Sequence, residues 1–175
     1  MDESDETVVV DIASVSGATG SGQVTVAITD DDDAPLVSLA LDTGTIAENG
    51  GVATATATLS AASGQDVTVD LAASGTATDG ADYTLSGTQI VIAAGDTSGS
   101  VTITAADDAV DEPDETVILD IANVVGATED GTQQVTATIT DDDEPVGLVV
   151  NSLAATPSGF MAEFSDDLDT TALNL

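Results

Sequence analysis

Basic side chains are absent from this sequence. Its 175 residues include no lysine, arginine or histidine against 33 aspartates and glutamates, so the formal net charge is −33 at pH 7. Proteins bind nucleic acid and anionic lipid mainly through Lys and Arg. The sequence therefore excludes nucleic acid as a partner. No apolar stretch approaches the roughly 18 residues of a membrane span, so we predict no membrane insertion.

Cysteine and tryptophan are absent as well, and aromatic residues make up 2% of the chain. Without Cys or His there is no thiol or imidazole nucleophile, no zinc site of the usual kind and no disulfide framework. A hydrolase with paired carboxylates needs neither residue, but few aromatic rings are present on which a sugar or base can stack. We therefore predict that the chain is not an enzyme.

An internal repeat organises the chain. Residues 2–19 match residues 111–128 at 13 of 18 positions, and residues 23–32 match residues 134–143 at 8 of 10 positions. The period is about 110 residues, the size of one domain. The sequence thus predicts the C-terminal part of a preceding repeat at 1–33, one complete repeat at 35–144, and the start of a different, truncated module at 147–175. Neighbouring repeats of a longer polypeptide are the expected partners.

Apolar and polar residues alternate along the complete repeat, which predicts β-strands separated by turns rich in Gly, Asn, Asp and Ser. Seven strands are predicted, at 37–42, 52–60, 67–73, 83–92, 100–106, 116–123 and 135–140. Seven short strands at this spacing are typical of an antiparallel β-sandwich, an all-β fold. Tyr83 is the only aromatic residue of the repeat, so Ala and Val must fill the core and we expect modest stability without ligand.

Most carboxylates of the repeat are predicted to share one end of this sandwich. If each connection reverses the chain, the loops at 43–51, 74–82 and 107–115 and the tail from 141 all lie at the end reached by the first strand, here called the top. The carboxylates of these segments are Glu48, Asp79, Asp82, Asp107, Asp108, Asp111, Glu112, Asp114, Glu115, Asp141, Asp142, Asp143 and Glu144.

Two explanations fit an acidic end of this kind, because no cationic side chain offsets the repulsion between its carboxylates. Either the side chains splay into solvent, or metal ions lie among them. Taken singly, Glu48 and Asp82 fit a plain surface as well as a ligand set. Asp79 fits a ligand set less well than these two, because the TDGAD segment is also typical of a turn. Oxygen ligands in excess, without nitrogen or sulfur, select Ca²⁺ over Mg²⁺, which demands tighter octahedral geometry.

Four segments of the complete repeat, in order, resemble the Calx-beta domain: IAENGG, GTATDGADYT, TITAADDAVDEPDETVILDIAN and TATITDDDEP. Residues 2–33 resemble part of a second copy. The resemblance implies a seven-stranded, immunoglobulin-like sandwich that binds several Ca²⁺ ions at the top. Carried over by position, the ligands that it implies are Glu48, Asp82, Asp107, Asp108, Asp111, Glu112, Glu115, Asp141, Asp142 and Asp143. In the sodium/calcium exchanger members, a further Asp stands where this chain has Ala106.

Two functions follow from this resemblance. The first is a calcium-binding structural repeat of an extracellular, adhesin-like protein, in which Ca²⁺ stiffens the tandem array and a cell-surface or matrix component is a partner. The C-terminal stretch TPSGFMAEFSDDLDTTALNL is similar to the opening of bacterial immunoglobulin-like modules in large surface proteins. The alternative is a regulatory Ca²⁺-sensing domain that controls a partner domain. The expected location is extracellular or at the cell surface, with any membrane association supplied by parts outside this chain.

Overall fold

The computed structural model describes residues 2–143 and 150–164, and its regular elements in these ranges are all β-strands. Over the same residues, no helix offers the length and apolar character needed to cross a membrane. The strands are β1 (Glu6–Asp11), β2 (Gln23–Ile28), β3 (Leu36–Leu41), β4 (Thr45–Ala47), β5 (Val52–Leu59), β6 (Val67–Gly75), β7 (Tyr83–Leu85), β8 (Gln89–Ile92), β9 (Ser98–Ala105), β10 (Glu115–Val125), β11 (Thr128–Glu129), β12 (Gln134–Thr140), β13 (Val150–Thr156) and β14 (Gly159–Phe164). The predicted boundaries at 144 and 147 lie outside the described residues.

Strands β3 to β12 form two five-stranded sheets. One sheet has the order β4-β12-β10-β6-β8, and the other has the order β11-β3-β5-β9-β7. Neighbouring strands are antiparallel except for β4 beside β12 and β11 beside β3, which run parallel. The all-β sandwich predicted from the alternating pattern is confirmed.

Each of the seven predicted strands overlaps a strand of these sheets, but two changes of sheet were not predicted. The strand predicted at 83–92 is interrupted after Leu85, since β7 pairs with β9 in one sheet and β8 pairs with β6 in the other. Likewise, β4 follows β3 in sequence but pairs with β12 in the opposite sheet. The buried positions change from odd to even residue numbers across each switch, from Tyr83 to Ile90 and from Leu39 to Ile46. A turn or bulge within one sheet produces the same shift, so the sequence pattern alone does not reveal the change of sheet.

The core lies between the two sheets and consists mainly of small and branched aliphatic side chains. On β5, Ala53, Ala55 and Ala57 face inward at every second position. Tyr83 is the one aromatic side chain among the buried core residues that the structure describes. Burial, and to a smaller extent the negative charge of Asp79, raises the pKa of the Tyr83 hydroxyl, which therefore stays neutral at physiological pH.

Strands β1 and β2 form a separate two-stranded sheet that repeats the pairing of β10 with β12. The first hairpin pairs Glu6 with Ile28, and the second pairs Glu115 with Ile139, which are the matching positions of the internal repeat. The hairpin lies in the same compact unit as the sandwich, and Gly64 donates a backbone hydrogen bond of 2.8 Å to the Asp2 carbonyl oxygen. Its apolar side chains are nevertheless exposed on both faces.

A second compact unit comprises 109–112 and 142–175. Its regular structure, within the described residues, is the antiparallel hairpin β13–β14, and the Ser152 hydroxyl donates to the Glu163 carboxylate across that hairpin at 3.1 Å. The three modules proposed from the sequence stay a prediction.

Candidate metal centre

Backbone hydrogen bonds hold the acidic loops together at the top of the sandwich. The Glu48 amide donates to the Thr140 carbonyl oxygen at 3.0 Å, which joins the end of β4 to the end of β12. The Ala106 amide donates to the Asp82 carbonyl oxygen at 2.9 Å, which joins the end of β9 to the loop after β6. The structure thus brings segments from four distant parts of the chain to the end indicated by strand order.

The position of Glu48 depends on two glycines in a tight loop. Gly50 adopts a φ of +77°, a backbone conformation that residues other than glycine rarely adopt. A Cβ atom at Gly51 would lie 2.5 Å from the Ala47 carbonyl oxygen, so only glycine fits there without movement of the backbone. The loop buries Glu48 to 8% exposure, which is unusual for a carboxylate in a protein without cationic side chains.

We expect the Gly51→Ala substitution to lower the thermal unfolding midpoint and to weaken Ca²⁺ binding. The added methyl group must displace backbone atoms of Ala47, at a cost of about 1–3 kcal/mol. Gly44→Ala is the matched control, because the nearest atom to its new methyl group is 3.9 Å away. Differential scanning calorimetry of both variants checks the prediction, and equal midpoints for the two would contradict it.

A second close approach positions Asp82 and Glu115. A Cβ atom at Gly75 would lie 2.0 Å from the Thr116 carbonyl oxygen, so glycine allows β6 and β10 to meet at this point. The Thr116 amide donates to the Thr76 hydroxyl at 2.8 Å. The Thr78 amide donates to Asp82 Oδ2 at 2.6 Å, which orients the carboxylate within its turn. Glu115, at the first position of β10, is thereby placed beside the loop that carries Asp82.

Four predicted ligands form two close carboxylate pairs in the first unit. Ligand oxygens of Glu48 and Asp108 lie within 4.8 Å of one another, and so do ligand oxygens of Asp82 and Glu115. Two like charges about 4 Å apart repel by about 1 kcal/mol in water and by about 4 kcal/mol at an effective dielectric constant of about 20. With no lysine, arginine or histidine in the sequence, no side chain of the chain itself can neutralise either pair.

Asp141 supplies an independent indication of a cation site. Of the buried side-chain oxygens in the described part of the chain, its Oδ1 has no hydrogen-bond partner. Burying a carboxylate oxygen away from water without a partner costs free energy. Native proteins offset that cost with a hydrogen bond or a metal ion. Since Ala137 and Ile139 point into the core, Asp141 continues the inward-facing series of β12. The alternation along β12 is thus a sequence signal that places Asp141 on the inward-facing side and Asp142 on the solvent-facing side.

The other predicted ligands are mostly exposed, as Asp108 is. Asp107 in the first unit is exposed. In the second unit, Asp111, Glu112 and Asp142 are exposed and Asp143 is partly buried. Their roles as ligands stay predictions.

The donor atoms of the first unit fit Ca²⁺. All are oxygens, and Ca²⁺ takes 6–8 oxygen ligands at about 2.3–2.6 Å. Two oxygens on opposite sides of such an ion stand about 5 Å apart, so oxygens separated by no more than 4.8 Å can share one ion. The partnerless oxygen of Asp141 fits the same chemistry, because a divalent cation stabilises an ionised carboxylate.

The geometry agrees with comparisons to solved structures. The crystal structure of the apo-form Calx CBD1 domain is 22% identical with a TM-score of 0.50, and the match covers 62% of this chain and 99% of that one. The crystal structure of calcium binding domain CBD12 of CALX1.1 is 24% identical with a TM-score of 0.52, and the match covers 60% of this chain but 44% of that one. These likenesses show the fold, an immunoglobulin-like sandwich.

Sequence comparison identifies the family. No curated protein sequence matches the chain. The sequence model of the Calx-beta domain, however, matches residues 30–143, more than half of the chain. Calx-beta domains bind Ca²⁺, and they are regulatory calcium-binding domains rather than an enzyme family. On this match and on the sandwich with its acidic end, the chain belongs to the Calx-beta domain family.

Proposed function

We propose that this chain is a calcium-binding structural repeat of an extracellular, adhesin-like protein, in which Ca²⁺ at the top of the sandwich stiffens the connection to the next module. The observation that carries the proposal is the enclosed, partnerless Oδ1 of Asp141. Asp141 directly follows β12, at the point where the chain leaves the sandwich. An ion bound there ties the outgoing chain to the domain.

Two ions account for the two carboxylate pairs of the first unit. For the first ion we assign Glu48 and Asp108, and for the second ion we assign Asp82 and Glu115. The remaining predicted oxygen donors are Asp107, Asp111, Glu112, Asp141, Asp142 and Asp143.

The chain provides ligand oxygens both on the body of the sandwich and on the segment that follows β12. Glu48, held by the Gly50–Gly51 loop, and Asp82, held by the Thr78 amide, provide fixed oxygens on the body of the sandwich. The carboxylates of the tail after β12 provide oxygens on the segment that leaves it. Bound Ca²⁺ supplies the positive charge that the sequence lacks, so that the tail cannot swing away without breaking ligand bonds.

An extracellular setting suits this arrangement. Ca²⁺ sites of extracellular modules work with dissociation constants of about 10⁻⁴–10⁻³ M, because the ion is always abundant there. A chain with 33 acidic residues and no cationic side chain depends on such permanent saturation to remain compact. Neighbouring repeats are the proposed partners within the polypeptide, and a cell-surface or matrix component is the proposed partner outside it.

Calorimetric titration of the metal-stripped protein with Ca²⁺, at constant ionic strength, tests the proposal. We expect more than one site, selective over Mg²⁺, with dissociation constants of about 10⁻⁴–10⁻³ M. Sub-micromolar sites would instead support the alternative, a regulatory sensor that responds to a fluctuating calcium level. Binding no stronger than that of Mg²⁺ would show that the acidic end is only a solvated surface.

A further inference from the structure

Residues 60–65, in the connection from β5 to β6, contact the part of the chain that precedes the sandwich. We call them the lower turn, because they lie at the end of the sandwich opposite the top. The Gly64 amide of this turn donates to the Asp2 carbonyl oxygen at 2.8 Å. Of residues 2–33, Asp2 and Asp30 are partly buried and the others are exposed. One of the two enclosed positions of the preceding segment is thus the one that bonds to the lower turn.

The lower turn is held in shape by hydrogen bonds of its own. The Ser63 side chain is 1% exposed, and its hydroxyl accepts the Gln65 amide at 3.0 Å. The Ser63 carbonyl oxygen accepts the Gly95 amide, from the β8–β9 connection, at 2.8 Å. The turn therefore presents the Gly64 amide from a fixed position on the sandwich.

The linker that enters the sandwich ends beside the same turn. The Leu36 amide donates to the Ser60 hydroxyl at 2.9 Å, and the Ser60 amide donates to the Leu36 carbonyl oxygen at 2.8 Å. Earlier in the linker, the Asp30 amide donates to Asp5 Oδ1 at 2.9 Å, and the Glu3 amide donates to Asp30 Oδ2 at 3.3 Å. The linker is thus tied at one end to the lower turn and at the other to the acidic segment before β1.

This acidic segment is the repeat equivalent of the loop before β10. Residues 2–5 match residues 111–114 at three of four positions, and the second set belongs to the acidic loop at the top of the complete repeat. The lower turn of one repeat therefore bonds to the top of the repeat before it. The loop before β10 is likewise associated with the chain that follows its own sandwich, since 109–112 lies in the same compact unit as 142–175.

We propose that the lower turn is the docking surface through which the complete repeat holds the preceding repeat, and that the acidic segment 2–5 is what it receives. Residues 60–65 carry no carboxylate, so this turn can approach an acidic loop without like-charge repulsion. The turn offers a backbone donor, and the acidic segment offers a backbone acceptor. The inference deepens the proposed function and rests on it, because it takes the chain to be part of a tandem array whose connections are stiff.

Disulfide cross-linking in the full chain tests this contact, since the sequence has no cysteine of its own. Asp2→Cys with Gly64→Cys joins two positions whose backbones are hydrogen-bonded, within the separation of about 7 Å between Cα atoms that a disulfide allows. Asp2→Cys with Asp130→Cys is the matched control. Asp130 is exposed at the same end of the sandwich, where its amide donates to the Val37 carbonyl oxygen at 2.9 Å.

We expect the pair at 2 and 64 to oxidise more than about tenfold faster than the pair at 2 and 130, because docking raises the effective concentration of one thiol at the other. Equal rates for the two pairs would overturn the docking surface, since they would show that the linker lets the acidic segment move freely past the end of the sandwich.

Amide hydrogen exchange gives a second measurement that needs no substitution. We expect the Gly64 amide to exchange more than about tenfold more slowly than in an unstructured chain, as the Gly95 amide should through its bond to Ser63. Exchange of the Gly64 amide at the unstructured rate, with the Gly95 amide protected, would overturn the proposal. Neither measurement requires Ca²⁺ to bind, so a failure of docking is distinguishable from a failure of the calcium titration.

Discussion

We expect that stripping Ca²⁺ with excess EDTA lowers the midpoint of thermal unfolding by more than about 10 °C. An ion that binds only the folded state contributes about 2.7 kcal/mol when it is present at a hundred times its dissociation constant. Two such ions contribute about 5 kcal/mol, and each kcal/mol shifts the midpoint of a domain of this size by about 2–8 °C. The effect is large relative to the total stability because the core is built mainly from Ala, Val, Leu and Ile, with Tyr83 as its aromatic residue.

The comparison that isolates the ion is a set of melts at equal ionic strength. Calcium removal also restores repulsion among carboxylates, which salt screens over about 10 Å at 0.1 M. Melting in EDTA with added KCl therefore measures how much of the loss is general repulsion, and Mg²⁺ in place of Ca²⁺ measures selectivity. The same midpoint in Ca²⁺ and in EDTA would rule out a stabilising metal centre.

The Asp141→Asn substitution changes the apo and calcium-loaded proteins in opposite directions. In the apo protein it replaces a carboxylate whose Oδ1 is enclosed without a partner by a neutral amide, so we expect an increase in stability on the order of 1 kcal/mol. In the presence of Ca²⁺ it removes a charged oxygen donor, so we expect the affinity of at least one site to fall more than tenfold. Apo and loaded melts together with calorimetric titration measure both effects.

Asp96→Asn is the matched control for this experiment. Asp96 lies in the β8–β9 connection at the opposite end of the sandwich and is exposed, and the substitution removes the same charge. It should leave Ca²⁺ affinity unchanged. A similar fall in affinity for both variants would show that net charge, and not the position of Asp141, governs binding. A lower apo stability for Asp141→Asn would show that its carboxylate is already satisfied without metal.

Much of the fold was predictable from local pattern. The alternation in Ala53, Ala55 and Ala57 places these residues on one face of a strand whatever the strand pairs with, and all three are buried. The change of sheet between β7 and β8 was not predictable, because the buried positions shift from odd at Tyr83 to even at Ile90 and a turn within one sheet gives the same shift. The strand β4 was not predicted because three residues are too few to show an alternating pattern. It forms a strand by pairing with β12, about 90 residues away.

The sequence by itself determined the chemistry of this protein. Its 33 carboxylates and lack of any basic side chain leave oxygen as the dominant ligand atom, and its internal repeat and alternating pattern indicate a β-sandwich. Only the tertiary structure decided which carboxylates act together, because enclosure depends on segments that meet across the fold. Glu48 is buried by a loop that glycine allows and that β12 anchors. Likewise, Val8 and Val117 are matching residues of the repeat, yet only Val117 has a facing sheet to cover it.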